Sequence, residues 1–172
     1  MAKAILLTGK PGCGKTTLIR RVLEDFPGDM GGFYTQEIRE AGTRKGFEIF
    51  TLDGERGVLA HVDILNSQRV GKYGVDLQAL DRLVVPAIQR AVERQALVVI
   101  DEIGPMEIRS SRFRKVVNYT LRSDVKVLGT IVHRSMPFTD EIKRMPDVSV
   151  IKVNPANRQE LPERILIWLR ED

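Results

Sequence analysis

Only one of the 172 residues is a cysteine, Cys13, so no disulfide can form within the chain. With no secretory leader pattern at the start, this favours a cytoplasmic protein. No apolar run approaches the ~20 residues that cross a bilayer, so no membrane span is expected. Aromatic residues make up 6% of the chain, sparse for the interleaved rings on which single-stranded nucleic acids stack. Lys and Arg number 27 against 23 Asp and Glu, a net charge of +4. That mild excess suits anionic ligands but is not the concentrated basic stripe of a dedicated DNA binder. A nucleic-acid partner is disfavoured on both counts. Of the two histidines, His61 has no cysteine or histidine near it in sequence, which argues for a structural residue and against a zinc site. Internal repeats and low-complexity tracts are absent, and the length suits a single domain over residues 1–172.

Against that plain background one segment stands out. Gly9-Lys10-Pro11-Gly12-Cys13-Gly14-Lys15-Thr16 fits G-x-x-x-x-G-K-[ST], the phosphate-binding P-loop. Its glycines let the backbone curl so that N–H groups converge on phosphate oxygens. Lys15 brings a cation to the β- and γ-phosphates, and the Thr16 hydroxyl is a ligand for Mg²⁺. Cys13 is read as a small residue that fits the loop. The flanks agree with the motif. Ala4-Ile5-Leu6-Leu7 is a short apolar strand, and Leu18, Ile19, Val22 and Leu23 recur at helical spacing, so a helix N-terminus faces the same anion.

Further along, Gly32–Arg39, Phe47–Leu52 and Gly57–Val62 are rich in strand formers and separated by turn residues, which predicts an antiparallel insertion at about residues 32–62. Asn66–Gly74 is polar and reads as a loop. Asp76 is positioned to cap a helix whose apolar face runs from Leu77 to Ala91, with Pro86 predicting a kink or break. Strands are expected at Leu97–Ile100, Val125–Val132 and Val148–Val153. Helices are expected at Arg112–Leu121, at Thr139–Arg144 and after a capping-box spacing at Asn157–Glu160. Apolar strands alternating with helices imply an α/β fold, a mostly parallel sheet with helices on both faces. Ligands of such sheets bind at the carboxyl ends of the strands.

Leu97-Val98-Val99-Ile100-Asp101-Glu102 supplies what hydrolysis needs beyond phosphate binding: an apolar strand ending in adjacent carboxylates. Asp101 is placed to hold Mg²⁺ through its water shell, and Glu102, as the strand ends, to direct the attacking water. Asp101-Glu102-Ile103-Gly104 also satisfies D-x-x-G, yet no N-K-x-D-like segment follows a later strand. Guanine selectivity is therefore unsupported, and broad nucleotide use is expected. His133 and Arg134 follow the strand ending at Val132 and are candidates for the site's edge. Arg109, Arg112 and Arg114 read mainly as a solvated helix face.

Three segments now occur in order: Gly9 to Thr17 (Gly9-Lys10-Pro11-Gly12-Cys13-Gly14-Lys15-Thr16-Thr17), Gly31-Gly32-Phe33-Tyr34-Thr35-Gln36-Glu37, and Val99-Ile100-Asp101-Glu102-Ile103-Gly104-Pro105-Met106-Glu107. Together they resemble the small nucleoside-triphosphatase family known from thermophiles and, in vertebrates, as cancer-related nucleoside-triphosphatase. The likeness runs over essentially the whole chain, and Asp101–Glu107 is its most specific part. It implies a P-loop core of RecA or AAA type and Mg²⁺-dependent hydrolysis of ATP, GTP, CTP and UTP to diphosphate and phosphate. It also implies that Gly9 to Thr16 and the segment from about Ile100 to Glu107 form the nucleotide site, to which Thr17 is added. On the reading of the motifs themselves, Lys15 and Glu102 are the catalytic candidates and Thr16 and Asp101 the metal ligands. A monomer is expected. Two alternatives stay open. One is a nucleotide or small-molecule kinase whose acceptor pocket is built by residues 32–62, although no arginine-rich lid is evident. The other is a nucleic-acid-associated ATPase or nucleotide switch.

Overall fold

The apolar run after Lys3 forms strand β1 (Ala4–Thr8) in the computed structural model, which describes residues 2–171. The loop that follows ends at Gly14, whose φ of 95° lies in the left-handed region that glycine tolerates. Helix α1 (Lys15–Asp25) starts there and buries Leu18, Ile19 and Val22, three of the four residues expected on its inner face. Strands β2 (Met30–Glu40) and β3 (Thr43–Thr51) are joined by a tight turn, and β4 (Arg56–His61) follows.

Asn66–Gly74, expected to be a loop, contains β5 (Arg69–Val70) and begins β6 (Tyr73–Val75). Strands this short carry no periodicity. They exist because β6 pairs with β4 and buries Tyr73 and Val75. The Asp76 carboxylate accepts from the Ala79 N–H at 3.0 Å and opens α2 (Leu77–Ala79). A π-helical turn, Leu80–Val84, then leads into α3 (Val85–Glu93). Pro86 has no N–H to give and its ring crowds the carbonyl four residues back; the wider turn just before it answers the expected break.

Strand β7 (Leu97–Ile103) runs three residues past the expected end at Ile100. A 3₁₀ turn at Glu107–Arg109 precedes α4 (Ser111–Arg122), whose cap Ser110 accepts from the Phe113 N–H at 3.0 Å. The chain closes with β8 (Val127–Ile131), α5 (Pro137–Lys143), β9 (Val148–Lys152) and α6 (Leu161–Arg170). The capping box expected at Asn157–Glu160 does not form. The Asn157 amide is turned back instead, its oxygen accepting from Asn154 N at 3.0 Å and its nitrogen donating to the Lys152 carbonyl at 2.8 Å.

All nine strands form one sheet in the order β5-β6-β4-β3-β2-β7-β8-β1-β9. The five from β2 to β9 in that order pair in parallel, and the rest add an antiparallel extension. The α/β architecture read from the sequence therefore holds. The extension reaches Val75 rather than stopping near 62. Both faces of the parallel part are covered. Ile5, Leu7, Leu97, Val99 and Leu128 pack under α1 and α6, while Leu6, Val98, Ile100 and Val127 pack under α3 and α4. Burial on both faces is why these strands read as unbroken apolar runs. Each fully buried Leu, Ile or Phe contributes about 1.5–3 kcal/mol.

Strand β2 belongs to both parts. Its residues Met30–Phe33 pair with β7, and Phe33–Glu40 pair with β3, so that only Phe33 is paired on both sides. From Tyr34 onward the β2–β3 hairpin therefore runs past the carboxyl edge of the parallel strands.

Candidate active site

At that edge a cleft of about 550 Å³ is walled by four pieces of chain: the loop after β1, the end of β7, the segment leaving β8, and the overhanging hairpin. Gly9, Lys10, Pro11, Gly12, Lys15 and Thr16 line one side; Asp101, Glu102 and Pro105 line the next. Val132, His133 and Arg134 come from beyond β8, and Thr35, Glu37, Arg44 and Phe47 from the hairpin. A larger groove of about 850 Å³ between α3 and α4 contains none of the motif residues.

Gly14 ends the loop, and no side chain caps α1, so the helix's first N–H groups are left for a ligand. The Lys15 ammonium folds over the loop and donates to the carbonyls of Gly9 at 3.0 Å and Lys10 at 3.3 Å. Cys13 is half-buried beneath it, its sulfur 3.8 Å from Lys15 Nζ, and packs against the α1–α6 side of the core.

The two carboxylates meet the cleft together although β7 does not end before them. Pairing with β8 is interrupted between Ile100 and Ile103, so strict alternation fails at this point. The peptide between them is cis. Asp101 is 3% exposed, and its Oδ1 accepts from the Thr130 hydroxyl at 2.6 Å. Its Oδ2 is buried without a hydrogen-bond partner. Burial pushes the Asp101 carboxyl up, against the opposing pull of the Thr130 and Thr16 hydroxyls and of Lys15. Burial also raises Glu102, helped by the neighbouring Asp101 charge and opposed by Lys15. Glu107 is raised furthest, by its own burial and then by the charges of Glu102 and Asp101.

Several residues of the two motifs do not line the cleft. Ile100 and Ile103 are fully buried, Met106 packs against the core, and Glu107 is 3% exposed within it. Thr17 is exposed on α1, and Gly104 lies under the Glu102 side chain. None of Arg109, Arg112 and Arg114 reaches the site. Arg109 donates to Gln68 and the Arg69 carbonyl, Arg114 to the Ile108 carbonyl, and Arg112 borders the α3–α4 groove. His61 accepts from the Asp63 N–H at 3.1 Å, remote from the cleft.

Five residues near the site were not singled out from sequence: Thr130, Thr35, Glu37, Arg44 and Phe47. For Thr130 a signal existed, a hydroxyl inside a strand buried at every position, which requires a partner. Thr35 and Glu37 lie in the Gly31–Glu37 segment that carries the family resemblance, but Arg44 and Phe47 gave no signal, because nothing local says that β2 overshoots the sheet.

A family model described as NTPase matches residues 4–166. The chain belongs to that family. It is 46% identical over 166 residues to nucleoside-triphosphatase THEP1 of Thermotoga sp. (strain RQ2), a match covering 96% of this chain and 95% of the relative. Among solved structures, THEP1 from Aquifex aeolicus superposes with a TM-score of 0.90 at 35% identity, covering 98% of this chain and 99% of that one. A human cancer-related nucleoside triphosphatase gives 0.82 at 37% identity, with 98% of each chain covered. These likenesses agree with the family resemblance carried by the three sequence segments.

Proposed function

We propose that this member of the NTPase family, acting as a single-domain monomer, hydrolyses ATP, GTP, CTP and UTP to diphosphate and phosphate with Mg²⁺. The observation that carries this reading is the meeting, in one cleft, of the phosphate loop with a carboxylate pair, Asp101 buried and Glu102 half-buried. The names of its relatives support hydrolysis of nucleoside triphosphates. Breadth of base rests on the lack of an N-K-x-D-like segment.

The residues fit a divalent cation. Asp101 Oδ2 is a buried acceptor awaiting a donor, and Thr16 brings a second oxygen to the same cleft. Among the described residues no group of three or more His, Cys, Asp or Glu side chains is arranged to hold a metal. That suits Mg²⁺, which keeps its waters and relies on substrate phosphates with one or two protein oxygens. Bound there, it would neutralise charge developing on the phosphate oxygens.

The protein's own groups do the rest. Loop N–H groups and Lys15 hold the β- and γ-phosphates, Lys15 exchanging the Gly9 and Lys10 carbonyls for phosphate oxygens. Glu102, made more basic by burial and by Asp101, accepts a proton from water as its oxygen bonds the γ-phosphorus. The bond from that phosphorus to the bridging oxygen breaks, and the diphosphate leaves. Glu102→Gln should cut phosphate release by about 10²–10⁴-fold while leaving affinity for an unreactive ATP analogue unchanged. Full turnover in that variant would remove the role. The hairpin groups lining the cleft favour a second reading, transfer to an acceptor hydroxyl or phosphate. Nucleotide consumption that depends on an added acceptor would favour it over hydrolysis.

A further inference from the structure

The sheet order β7-β8-β1 sets the end of β8 between the carboxylates and the phosphate loop. The segment leaving β8 thus overlooks the point where a γ-phosphate bound to the loop meets Glu102. It contributes His133 and Arg134 to the cleft wall.

Four cations line this cleft: Lys10, Lys15, Arg44 and Arg134. Lys10 and Lys15 belong to the loop itself. Arg44 is already engaged, donating to Glu37 at 3.1 Å and to the Tyr73 hydroxyl at 2.8 Å. Its guanidinium also rests 5.2 Å from the Phe47 ring centroid. Arg134 differs. Its guanidinium makes no hydrogen bond or ion pair among the described residues. Its backbone is nevertheless steadied, because Lys143 of α5 reaches the carbonyls of His133 and Arg134 at 3.4 and 3.5 Å. The Ser135 hydroxyl donates to Asp140 on the same helix. A steadied backbone bearing an unpaired cation, in the cleft that also holds Asp101 and Glu102, is an arrangement that an incoming polyanion would complete.

We infer that Arg134 is an arginine finger supplied by the chain to its own cleft, an inference that rests on the hydrolase reading. As the water oxygen bonds the γ-phosphorus and the bond to the bridging oxygen breaks, negative charge grows on the bridging and γ-oxygens. The guanidinium donates N–H bonds to those oxygens and stays protonated throughout; the only proton moved is the one passing from water to Glu102. Such fingers accelerate phosphoryl transfer by about 10³–10⁵-fold. Because Arg134 is exposed, Arg134→Ala should leave the fold intact, which an unchanged melting temperature checks.

The test uses the full chain. Arg134→Ala should lower kcat at least about 10²-fold, change affinity for an unreactive ATP analogue less than about threefold, and lose affinity for Mg·ADP·AlF₄⁻ in step with kcat. Guanidinium ion should restore part of the rate, and Arg134→Lys should fall between. A kcat within threefold of the parent overturns the inference, as does an equal loss of analogue affinity and rate, which would mark a ground-state contact. Mixing Arg134→Ala with Glu102→Gln must not restore activity; restoration would assign the arginine to a second copy. The two readings fail separately: an active Glu102→Gln with an inactive, guanidinium-rescued Arg134→Ala removes the water-directing carboxylate and keeps the finger.

Discussion

Thr130 donates its hydroxyl to Asp101 Oδ1 at 2.6 Å, linking the middle strand of the parallel sheet to the acid on its neighbour, 29 residues away. The bond occupies one carboxylate oxygen and leaves the other, Oδ2, without a hydrogen-bond partner. Thr130→Val keeps the shape and removes the donor. Partners that orient a metal-holding carboxylate cost about 10–100-fold in metal affinity or activity when lost. Mg²⁺ titrations of phosphate release should therefore shift to higher concentration by about that factor. The unsatisfied oxygen should also lower stability by about 1–3 kcal/mol. An unshifted Mg²⁺ dependence would separate Thr130 from the metal.

Glu107 is buried in the core with its carboxyl pushed toward the protonated form, and this ties stability to pH. Its carboxyl is raised well above the ordinary 4.5 by burial and then by the Glu102 charge. A raised folded-state pKa means that the native chain holds a proton the unfolded chain releases. The resulting stability is present in full below the unfolded value and is lost as pH rises through the folded one. Glu107→Gln removes the dependence. Its melting temperature at pH 7–8 should exceed that of the parent by at least about 2 °C, the gap closing toward pH 4.5. A constant gap across that range would show that Glu107 keeps its charge.

Gly32 marks where β2 leaves β7. Its φ is +104°, and a Cβ there would lie 2.0 Å from the Val99 carbonyl oxygen. Gly32→Ala therefore combines backbone strain with a clash that only main-chain movement relieves, costing more than about 3 kcal/mol. Thermal unfolding should occur roughly 6–12 °C lower. A loss under 2 °C would mean that β2 and β7 separate freely at this point.

Lys15 spans the loop, yet its partners there are the Gly9 and Lys10 carbonyls, which solvent also satisfies. Lys15→Met should reduce turnover by about 10²–10³-fold while moving the ligand-free melting temperature by less than about 2 °C. Large destabilisation without ligand would make the lysine a structural strut of the loop.

What the sequence revealed was whatever a local pattern encodes. The P-loop, β1, α1 and the Asp101–Glu102 pair could each be read within about a dozen residues, and the loop and the pair line one cleft. Pro86 announced a disturbance but not its form, since a kink and a π turn both accommodate a missing N–H. Sequence gave no warning of β5 and β6, because Arg69–Val70 and Tyr73–Val75 are too short to show alternation. Asn157 looked like a cap, but the same amide reaches Lys152 and Asn154 once β9 ends beside it. Arg44 and Phe47 could not be placed in the cleft from any window, because their position follows from where β2 stops pairing with β7.

Because the strand that carries Thr35 and Glu37 to the far bank of the cleft is also, at Met30–Phe33, an inner member of the parallel sheet, the hairpin's position over the cleft is set by the register of β2 on β7. A slip of that register would carry Thr35 and Glu37 away from the phosphate loop, so the shape of the cleft and the order of the sheet are one property.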